Sequence, residues 1–307
     1  MRVRRLGPVA SLASIGAALC ALVAMTTATP ASAASTQTQT QLPFTSPSLD
    51  DPIGVAVDMS GNVYVADYGS SHAYVLDVSN GNESYLPFGD LDHPSGIAVD
   101  AFGDVYLTDS GNNRVLYLQK TPTGYARQVN LPFGGLDDPT GIAVGSWGDV
   151  YVTDTGNDRV LYLQRTPAGY APQAQLPFGG LDGPMGVAVG RTGDVYVADS
   201  GRNRVVELTR SHGYLPQQTL PFGGLNDPNG VAIGARGIYV TDAGNDVVRE
   251  LPTQVCGEVP QRNAPFGGLS DPSGVAIQSG NVYVSDSGNN RVLENRVPGT
   301  CPNLSFF

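Results

Sequence analysis

The sequence predicts an all-β fold, a six-bladed β-propeller of four-stranded blades. A phrase close to Leu-Pro-Phe-Gly-Gly-Leu-Asp-Asp-Pro-x-Gly recurs six times in the 307 residues. Its prolines are spaced 42, 45, 45, 44 and 44 residues apart (Pro52, Pro94, Pro139, Pro184, Pro228, Pro272). A period of this length marks one supersecondary unit that buries its faces only by stacking on its neighbours. Four short alternating apolar segments per unit indicate a propeller blade.

Each unit follows the same order of elements. A short apolar run follows Pro-x-Gly, then come a turn, an alternating strand such as Asp-Val-Tyr-Val-Thr-Asp, a Gly/Asn turn, a third strand and a longer link to the next copy of the phrase. No sustained helical period competes with this pattern. We predict repeats at about residues 50–91, 92–136, 137–181, 182–225, 226–269 and 270–307, within a propeller spanning 41–307.

Two strand positions are constant and are expected to serve packing. An alanine stands at the centre of every first strand, where we expect little room beside the axis (Ala56, Ala98, Ala143, Ala188, Ala232, Ala276). A tyrosine recurs in every second strand, and we expect it in the core between blades (Tyr64, Tyr106, Tyr151, Tyr196, Tyr239, Tyr283).

The sixth unit lacks a fourth strand of its own. An orphan Gln-Leu-Pro-Phe at residues 41–44 precedes the first unit, and we expect it to complete the sixth blade and hide a sheet edge. Residues 303–306 are the competing candidate for the same place.

The N-terminal segment indicates export. Residues 1–33 combine a basic start, an apolar stretch and Ala-Ser-Ala, as in a signal peptide, and residues 34–40 form a linker. Retention of the segment as a membrane anchor is the alternative reading. Cleavage removes three arginines and no acids, so the net charge of −11 becomes −14. Such a chain repels nucleic acid and anionic membranes. We expect a secreted or cell-wall-associated bacterial monomer.

Two cysteines follow the predicted signal. Cys256 and Cys301 are expected to form a disulfide in an oxidising compartment, and neither belongs to a Cys-x-x-Cys motif.

The repeated motifs resemble the NHL-repeat family of propellers. The resemblance rests on Gly-Val-Ala-Val/Ile, Gly-Asp/Asn-Val-Tyr-Val-x-Asp and Asp-Ser-Gly-Asn-Asn-Arg-Val, seen at residues 96–115, where Ile97 and Leu107 replace two valines, and again at 274–292. The Leu-Pro-Phe-x-Gly-Leu phrase is similar to the extracellular sensor propeller of actinobacterial receptor-type serine/threonine kinases. That resemblance implies a sensor facing a ligand or the cell wall. The chain carries no kinase motifs, so we expect no kinase activity.

Two variable rings are the predicted ligand-reading surface, because positions fixed in all copies hold the blade while variable ones are free to discriminate. The first ring lies between Pro and Gly (Ile53, Ser95, Thr140, Met185, Asn229, Ser273). The second follows the turn aspartate (Tyr68, Ser110, Thr155, Ser200, Ala243, Ser287). Random drift at exposed positions is the alternative.

Carboxylates should gather on the face that holds these rings. The turn aspartates are Asp67, Asp109, Asp154, Asp199, Asp242 and Asp286. We interpret them as turn formers that accept backbone N–H groups further along the chain, with glycine in the positive-φ position and an arginine five residues later as ion-pair partner. The alternative is a polar face that attracts cationic or hydroxyl-rich ligands.

An enzyme is the less favoured reading. Six-bladed propellers include streptogramin lyases, amidating lyases and calcium-dependent lactonases, but only His93 of three histidines is placed near the pore mouth. The glutamates are expected on third strands or the links after them, away from the axis. We therefore predict a secreted binding or scaffolding module without cofactor, metal or catalytic residue, for a protein, peptide or cell-wall glycan partner. A lyase or lactonase with a metal- or His-based site at the pore mouth is the alternative.

Overall fold

Six four-stranded antiparallel sheets surround a common axis, as the sequence predicts. The structure, a computed structural model, describes residues 39–45, 49–253 and 261–296. The first strand of each sheet contacts the first strands of the sheets before and after it, and the sixth contacts the first, so the ring is closed.

The blades have the following strands. The chain begins with β1 (Thr40–Gln41). Blade 1 contains β2 (Pro52–Val57), β3 (Val63–Asp67), β4 (His72–Asp77) and β5 (Asn82–Tyr85). Blade 2 contains β6 (Pro94–Val99), β7 (Val105–Asp109), β8 (Arg114–Leu118) and β11 (Val129–Asn130), with a hairpin of β9 (Lys120–Thr121) and β10 (Gly124–Tyr125). Blade 3 contains β12 (Pro139–Val144), β13 (Val150–Asp154), β14 (Arg159–Leu163) and β17 (Ala174–Gln175), with a hairpin of β15 (Arg165–Thr166) and β16 (Gly169–Tyr170).

The remaining blades follow the same plan. Blade 4 contains β18 (Pro184–Val189), β19 (Val195–Asp199), β20 (Arg204–Leu208) and β21 (Gln218–Thr219). Blade 5 contains β22 (Pro228–Ile233), β23 (Gly237–Asp242), β24 (Val247–Pro252) and β25 (Arg262–Asn263). Blade 6 contains β26 (Pro272–Gln278), β27 (Asn281–Asp286) and β28 (Arg291–Arg296). Single 3₁₀ turns lie at Ser110–Asn112, Thr155–Asn157, Ser200–Arg202, Arg210–His212, Ala243–Asn245 and Ser287–Asn289.

The N-terminal strand closes the ring. Thr40 pairs with Glu294 and Gln41 with Leu293, so β1 is the fourth strand of blade 6. Leu42 and Phe44 are buried in the apolar cluster between blades 6 and 1. The side chain of Gln39 exchanges two hydrogen bonds of 2.9 Å with the backbone of Gly267. Glutamines make the same exchange in blades 2, 3 and 5, so β1 reproduces the contacts of an ordinary fourth strand.

The repeated tyrosines lie in the core between blades, as predicted. Tyr64 packs with Ile97 and Leu107 of the next blade, and its five counterparts occupy equivalent clusters. The explanation given for the alanines is wrong. Ala56 lies opposite Tyr64 in the sheet and packs into the same inter-blade cluster, so a small residue is needed beneath a tyrosine ring rather than beside the axis.

The predicted signal, the linker up to residue 38 and both Cys256 and Cys301 lie outside the described residues. The described part of the chain contains no helix that is long and apolar enough to cross a membrane.

Candidate functional site

A cavity of ≈ 110 Å³ lies on the axis, where the six first strands begin. Its walls are the complete first ring that the sequence singles out: Ile53, Ser95, Thr140, Met185, Asn229 and Ser273. Six buried β-branched side chains, two residues further along each strand, complete the lining (Val55, Ile97, Ile142, Val187, Val231, Val275). The structure therefore brings the first ring together around one small and largely apolar space.

The invariant glycines of the Pro-x-Gly motif hold the first strands close together. A Cβ on Gly141 would lie 2.3 Å from the carbonyl oxygen of Met185 in the next blade. A Cβ added to any of the five other glycines would lie 2.3–2.5 Å from a carbonyl oxygen of the next blade. For Gly274 this is the carbonyl of Ile53, across the ring closure. No side chain fits at such a distance, so the motif's glycine fixes the diameter of the cavity.

Hydroxyl groups join neighbouring first strands at four of the six interfaces. In blade 3, Thr153 Oγ1 accepts the N–H of Gly141 at 2.7 Å and donates to the carbonyl of Met185 at 2.6 Å. Thr108, Thr241 and Ser285 repeat this bridge, whereas Ala66 and Ala198 stand at the same position in blades 1 and 4. The two interfaces without the hydroxyl lie three blades apart.

The first-ring side chains differ in their burial and in their hydrogen bonds to other parts of the fold. Ser95 and Ser273 are buried, and each shares a hydrogen bond with a second-ring hydroxyl, at 2.5 and 2.8 Å. Thr140 is similarly engaged with Thr155. Ile53, Met185 and Asn229 are half-buried and present an alkyl group, a thioether and an amide to the cavity.

The second ring belongs to the contacts between blades. Ser110, Thr155 and Ser287 donate to the carbonyl of the next blade's repeated proline at 2.5–2.7 Å, and Ser200 donates to Asp227. Ala243 is buried at the same position. These side chains do not line the cavity, so the structure assigns them to packing rather than to ligand reading.

Tyr68 is the second-ring residue that departs from this pattern. Its ring is half-buried and lies 4.4 Å, centroid to centroid, from that of His93. Burial, followed by the carboxylates of Asp138, Asp51 and Asp92, raises the pKa of the Tyr68 phenol.

The turn aspartates are structural, with one correction to the predicted geometry. All six are fully buried, and Asp154 is representative. Its Oδ1 accepts the N–H of Asp137 at 2.7 Å, and its Oδ2 accepts Arg159 Nε at 2.6 Å. The backbone donor therefore precedes the aspartate by 17 residues, in the fourth-to-first-strand loop, instead of following it.

The role predicted for the turn glycine is also wrong. Left-handed backbone occurs two residues after each turn glycine, at Ser71, Asn113, Asp158, Asn203, Asp246 and Asn290. Gly111 is required for close approach instead, because its Cβ would lie 2.5 Å from the carboxylate of Asp92. The predicted arginine pairs are confirmed at 2.6 Å in blades 2, 3, 4 and 6, and Arg249 supplies an unpredicted fifth pair to Asp242 at 2.7 Å.

Carboxylates surround the mouth of the cavity, at the residue before each repeated proline. Asp51, Asp138, Asp227 and Asp271 occupy this position with left-handed backbone (φ 46–54°), beside His93 and Gly183. Burial and the charges of Asp271 and Asp50 raise the pKa of Asp51. Burial, Asp227 and Asp246 raise that of Asp271. These six positions form the rim of the cavity. The sequence analysis places the loops that carry them on this face but does not recognise them as one ring.

The histidines do not converge on one site. His93 lies on the rim with Nδ1 2.8 Å from a carboxylate oxygen of Asp92. His72 begins β4 and packs against Tyr85, and His212 lies in the 3₁₀ turn after β20. Within residues 39–45, 49–253 and 261–296, no three His, Cys, Asp or Glu side chains are grouped so that they could hold a metal ion.

The described glutamates lie away from the cavity. Glu207, Glu250 and Glu294 are on third strands, as predicted, whereas Glu83 is on the outer strand β5 and not on a third strand or the link after one. Glu250 is buried and bridges Tyr239 and Arg262, at 3.0 and 2.7 Å. Glu258 lies outside the described residues.

Comparison with known proteins supports the repeat family and the fold. The NHL repeat model matches residues 91–116, 136–161, 181–208 and 269–294. A search of curated proteins found no match. A catalytically inactive virginiamycin B lyase from Staphylococcus aureus, solved with quinupristin, is similar in structure with a TM-score of 0.65 at 16% identity, over 85% of this chain and 99% of that one.

Other similar structures have different activities. An auxiliary nutrient binding protein from Bacteroides ovatus has a TM-score of 0.65 at 13% identity, over 82% of this chain and 70% of that one. The PQQ-bound aldose sugar dehydrogenase from Streptomyces coelicolor has a TM-score of 0.60 at 15% identity, over 85% and 98% of the two chains. Identities this low show a shared fold and no shared activity. The chain is a six-bladed β-propeller that carries NHL repeats.

Proposed function

We propose that this protein is an exported, non-catalytic binding module whose axial cavity holds the aliphatic end of a primary amine, such as the first residue of a peptide. The observation that carries the proposal is the cavity itself, because every variable Pro-x-Gly side chain faces it. The resemblance to extracellular sensor propellers also supports a binding role outside the cell.

The size and lining of the cavity set the apolar part of the ligand. A cavity of ≈ 150 Å³ lined by apolar side chains takes benzene, so a cavity of ≈ 110 Å³ suits a short branched alkyl group. Ile53, Met185 and the Val/Ile ring supply the apolar contacts. The amide of Asn229 adds a hydrogen-bonding group at the wall. A ligand therefore enters with its alkyl end first.

The rim determines which charge is favoured on the part of the ligand that remains outside the cavity. Asp227, Asp271 and Asp51 follow one another around the mouth. Burial and then the charge of Asp227 raise the pKa of Asp271, and burial and then the charge of Asp271 raise that of Asp51. A bound cation relieves that repulsion, and the low dielectric of the apolar walls strengthens its attraction to the rim carboxylates. An ammonium group next to a short alkyl chain matches both parts of the site.

The hydroxyls around the cavity are arranged for structure and not for nucleophilic attack. An activated hydroxyl needs an adjacent base that is itself oriented by a third group. Ser110, Thr155 and Ser287 donate to backbone carbonyls, which accept the hydrogen bond without removing the proton. This pattern supports binding without turnover.

Calorimetric titration with isoamylammonium, and with uncharged isoamyl alcohol as the matched probe, tests the proposal. We expect saturable binding of the amine and at least about tenfold weaker binding of the alcohol, a difference of about 1.4 kcal/mol. Met185→Trp should abolish amine binding by filling the cavity. Met59→Trp is the control, because Met59 is exposed on a turn at the other end of a first strand. Equal binding by the wild type and Met185→Trp would overturn the proposal.

A lyase activity is the second candidate, and one observation favours it. His93 forms a 2.8 Å contact with Asp92 on the rim, the arrangement of a general base held by a carboxylate. Quinupristin, present in the similar virginiamycin B lyase structure, is the natural first substrate to test. Consumption of quinupristin that is lost in His93→Ala would establish the lyase. Unchanged quinupristin after long incubation would leave binding as the function.

A further inference from the structure

A second cleft lies on the opposite face, formed by the turns that join first and second strands. It has a volume of ≈ 400 Å³ and lies between the turns of blades 2 and 3. Phe102 forms part of one side and is 85% exposed, and Trp147 forms part of the other and is 57% exposed. Large apolar side chains this exposed mark interaction sites when they gather around a cleft.

The Trp147 ring is held in place from outside the cleft. The guanidinium of Arg210, from blade 4, stacks over the indole at 4.5 Å and does not line the cleft. Arg210 is itself placed 3.8 Å from the buried carboxylate of Asp149. The indole therefore packs against the guanidinium of Arg210 outside the cleft and also forms part of the cleft wall.

The floor of the cleft is polar and hydrogen-bonded. Tyr117 donates to Asp104 at 2.5 Å, and Tyr106 donates to Asp100 at 3.4 Å. Asp100 also accepts two turn N–H groups, at 2.9 and 3.0 Å. Arg165 stacks on Tyr170 at 4.9 Å and lines the cleft from below. The floor therefore offers fixed donors and acceptors between two aromatic walls.

We propose that this cleft binds a neutral oligosaccharide. A pyranose ring presents C–H groups on its faces, which pack against aromatic rings, and hydroxyls at its edge, which bond to carboxylate and guanidinium groups. Aromatic walls with a few convergent polar groups are typical of small-ligand sites, and ≈ 400 Å³ falls within their usual range. The site is separate from the axial cavity and does not depend on its function.

The charge around the cleft argues against the membrane surface that exposed aromatic residues otherwise suggest. Membrane-binding faces are rich in Lys and Arg and attract anionic lipid. Here the carboxylates of Asp100 and Asp104 line the cleft beside Arg165, and the whole chain has a net charge of −11. An uncharged hydroxyl-rich ligand meets no such repulsion.

Tryptophan fluorescence tests the proposal directly, because Trp147 is the single tryptophan of the chain. The full chain is titrated with tetrasaccharides of β-1,4-linked N-acetylglucosamine, glucose, mannose and xylose, and of α-1,4-linked glucose. The highest concentration is about 10 mM, about tenfold above a Kd of about 1 mM. We expect a saturable change in Trp147 emission with at least one of them. Vesicles of phosphatidylcholine and phosphatidylglycerol in equal parts serve as the competing probe.

Two variants separate the cleft from the rest of the face. Phe102→Ala should weaken saccharide binding at least tenfold, and Arg165→Ala should weaken it as well. Met59→Ala should bind like the wild type, because Met59 is as exposed as Phe102 but lies on the turn of blade 1, outside the cleft. No response to any saccharide, or a response to vesicles alone, would overturn the proposal.

Discussion

Asp67 and Asp154 occupy the same turn position in blades 1 and 3, and we expect their replacement by asparagine to have opposite effects. Both are fully buried. Asp154 accepts Arg159 at 2.6 Å, whereas Asp67 has Ser70 as its side-chain partner. His72 stands where the arginine would be, and its ring nitrogen contacts the carbonyl of Ser70 instead. Among the described residues, the buried carboxylate of Asp67 therefore has no cationic partner.

The magnitude follows from the pKa of Asp67. Burial raises this pKa from 3.8 to about 6, against the opposing hydrogen bonds from Ser70 and the N–H of Asp50. The folded protein then holds the proton between about pH 4 and 6, where the unfolded chain has lost it, so stability falls as the pH rises through this window. At 1.36 kcal/mol for each pKa unit, ionising Asp67 costs the folded state about 3 kcal/mol at neutral pH.

Asp67→Asn removes that cost and keeps an oxygen for the N–H of Asp50. We expect it to be no less stable than the wild type at neutral pH, and to lose the advantage when the pH is lowered to about 4. Asp154→Asn loses a charge-assisted hydrogen bond and should be less stable by about 1.5–3 kcal/mol at neutral pH.

Urea unfolding across this pH range measures both effects. Subtracting each variant's free energy of unfolding from that of the wild type cancels the contribution of every other titrating group. Parallel pH profiles for the wild type and Asp67→Asn, or an equal loss of stability in both variants at neutral pH, would refute the reasoning.

Three further substitutions test the ring itself by the same unfolding measurement. Gly141→Ala forces a Cβ to within 2.3 Å of the carbonyl of Met185 and should destabilise by more than about 2 kcal/mol, whereas Gly134→Ala, with nothing near its Cβ, should be close to neutral; equal effects would contradict the close-packing account. Thr153→Val leaves the N–H of Gly141 and the carbonyl of Met185 unpaired and should cost about 2–4 kcal/mol, and a neutral result would remove the hydroxyl bridge from the account. Leu42→Ala should cost about 2–5 kcal/mol, because Leu42 is 7% exposed in the cluster between blades 6 and 1; no loss would mean that the N-terminal strand does not secure the ring.

The fold could be predicted because repetition exposes its constraints. Six copies at one period define the blades, and a spare copy of the fourth-strand phrase before the first unit predicts the closing strand that pairs with β28. The Pro-x-Gly ring could be predicted by the same logic, since a variable position between two invariant ones faces something other than the blade. These features are local in the chain and repeat without exception.

The parts that could not be predicted depend on contacts between units. Ala56 is small because a tyrosine ring lies over it, and Gly111 because the Asp92 carboxylate lies against it. In both cases the sequence analysis assigned the residue a structural role but did not identify the neighbour that requires it. The hydroxyls of the second ring vary in sequence because serine, threonine and alanine all fit there, so variation indicated tolerance and not recognition.

The cleft of Phe102 and Trp147 left a weaker signal. Phe102 and Trp147 stand at the same position, eight residues after the repeated proline of their blades, but Ser60 and Thr192 stand there in blades 1 and 4, so comparison of the repeats shows no constant aromatic residue. An exposed aromatic residue in two adjacent copies of the turn was the available sign.

The most direct test of the axial binding site is methyl NMR of methionine. The described residues contain two methionines, Met185 in the cavity wall and Met59 on the opposite face, where it is 76% exposed. Titration of methyl-¹³C-methionine-labelled protein with isoamylammonium should shift the Met185 resonance in a saturable manner and leave that of Met59 unchanged. A Met185 resonance that does not move, or that moves together with Met59, would contradict the central claim that the axial cavity is where this propeller binds.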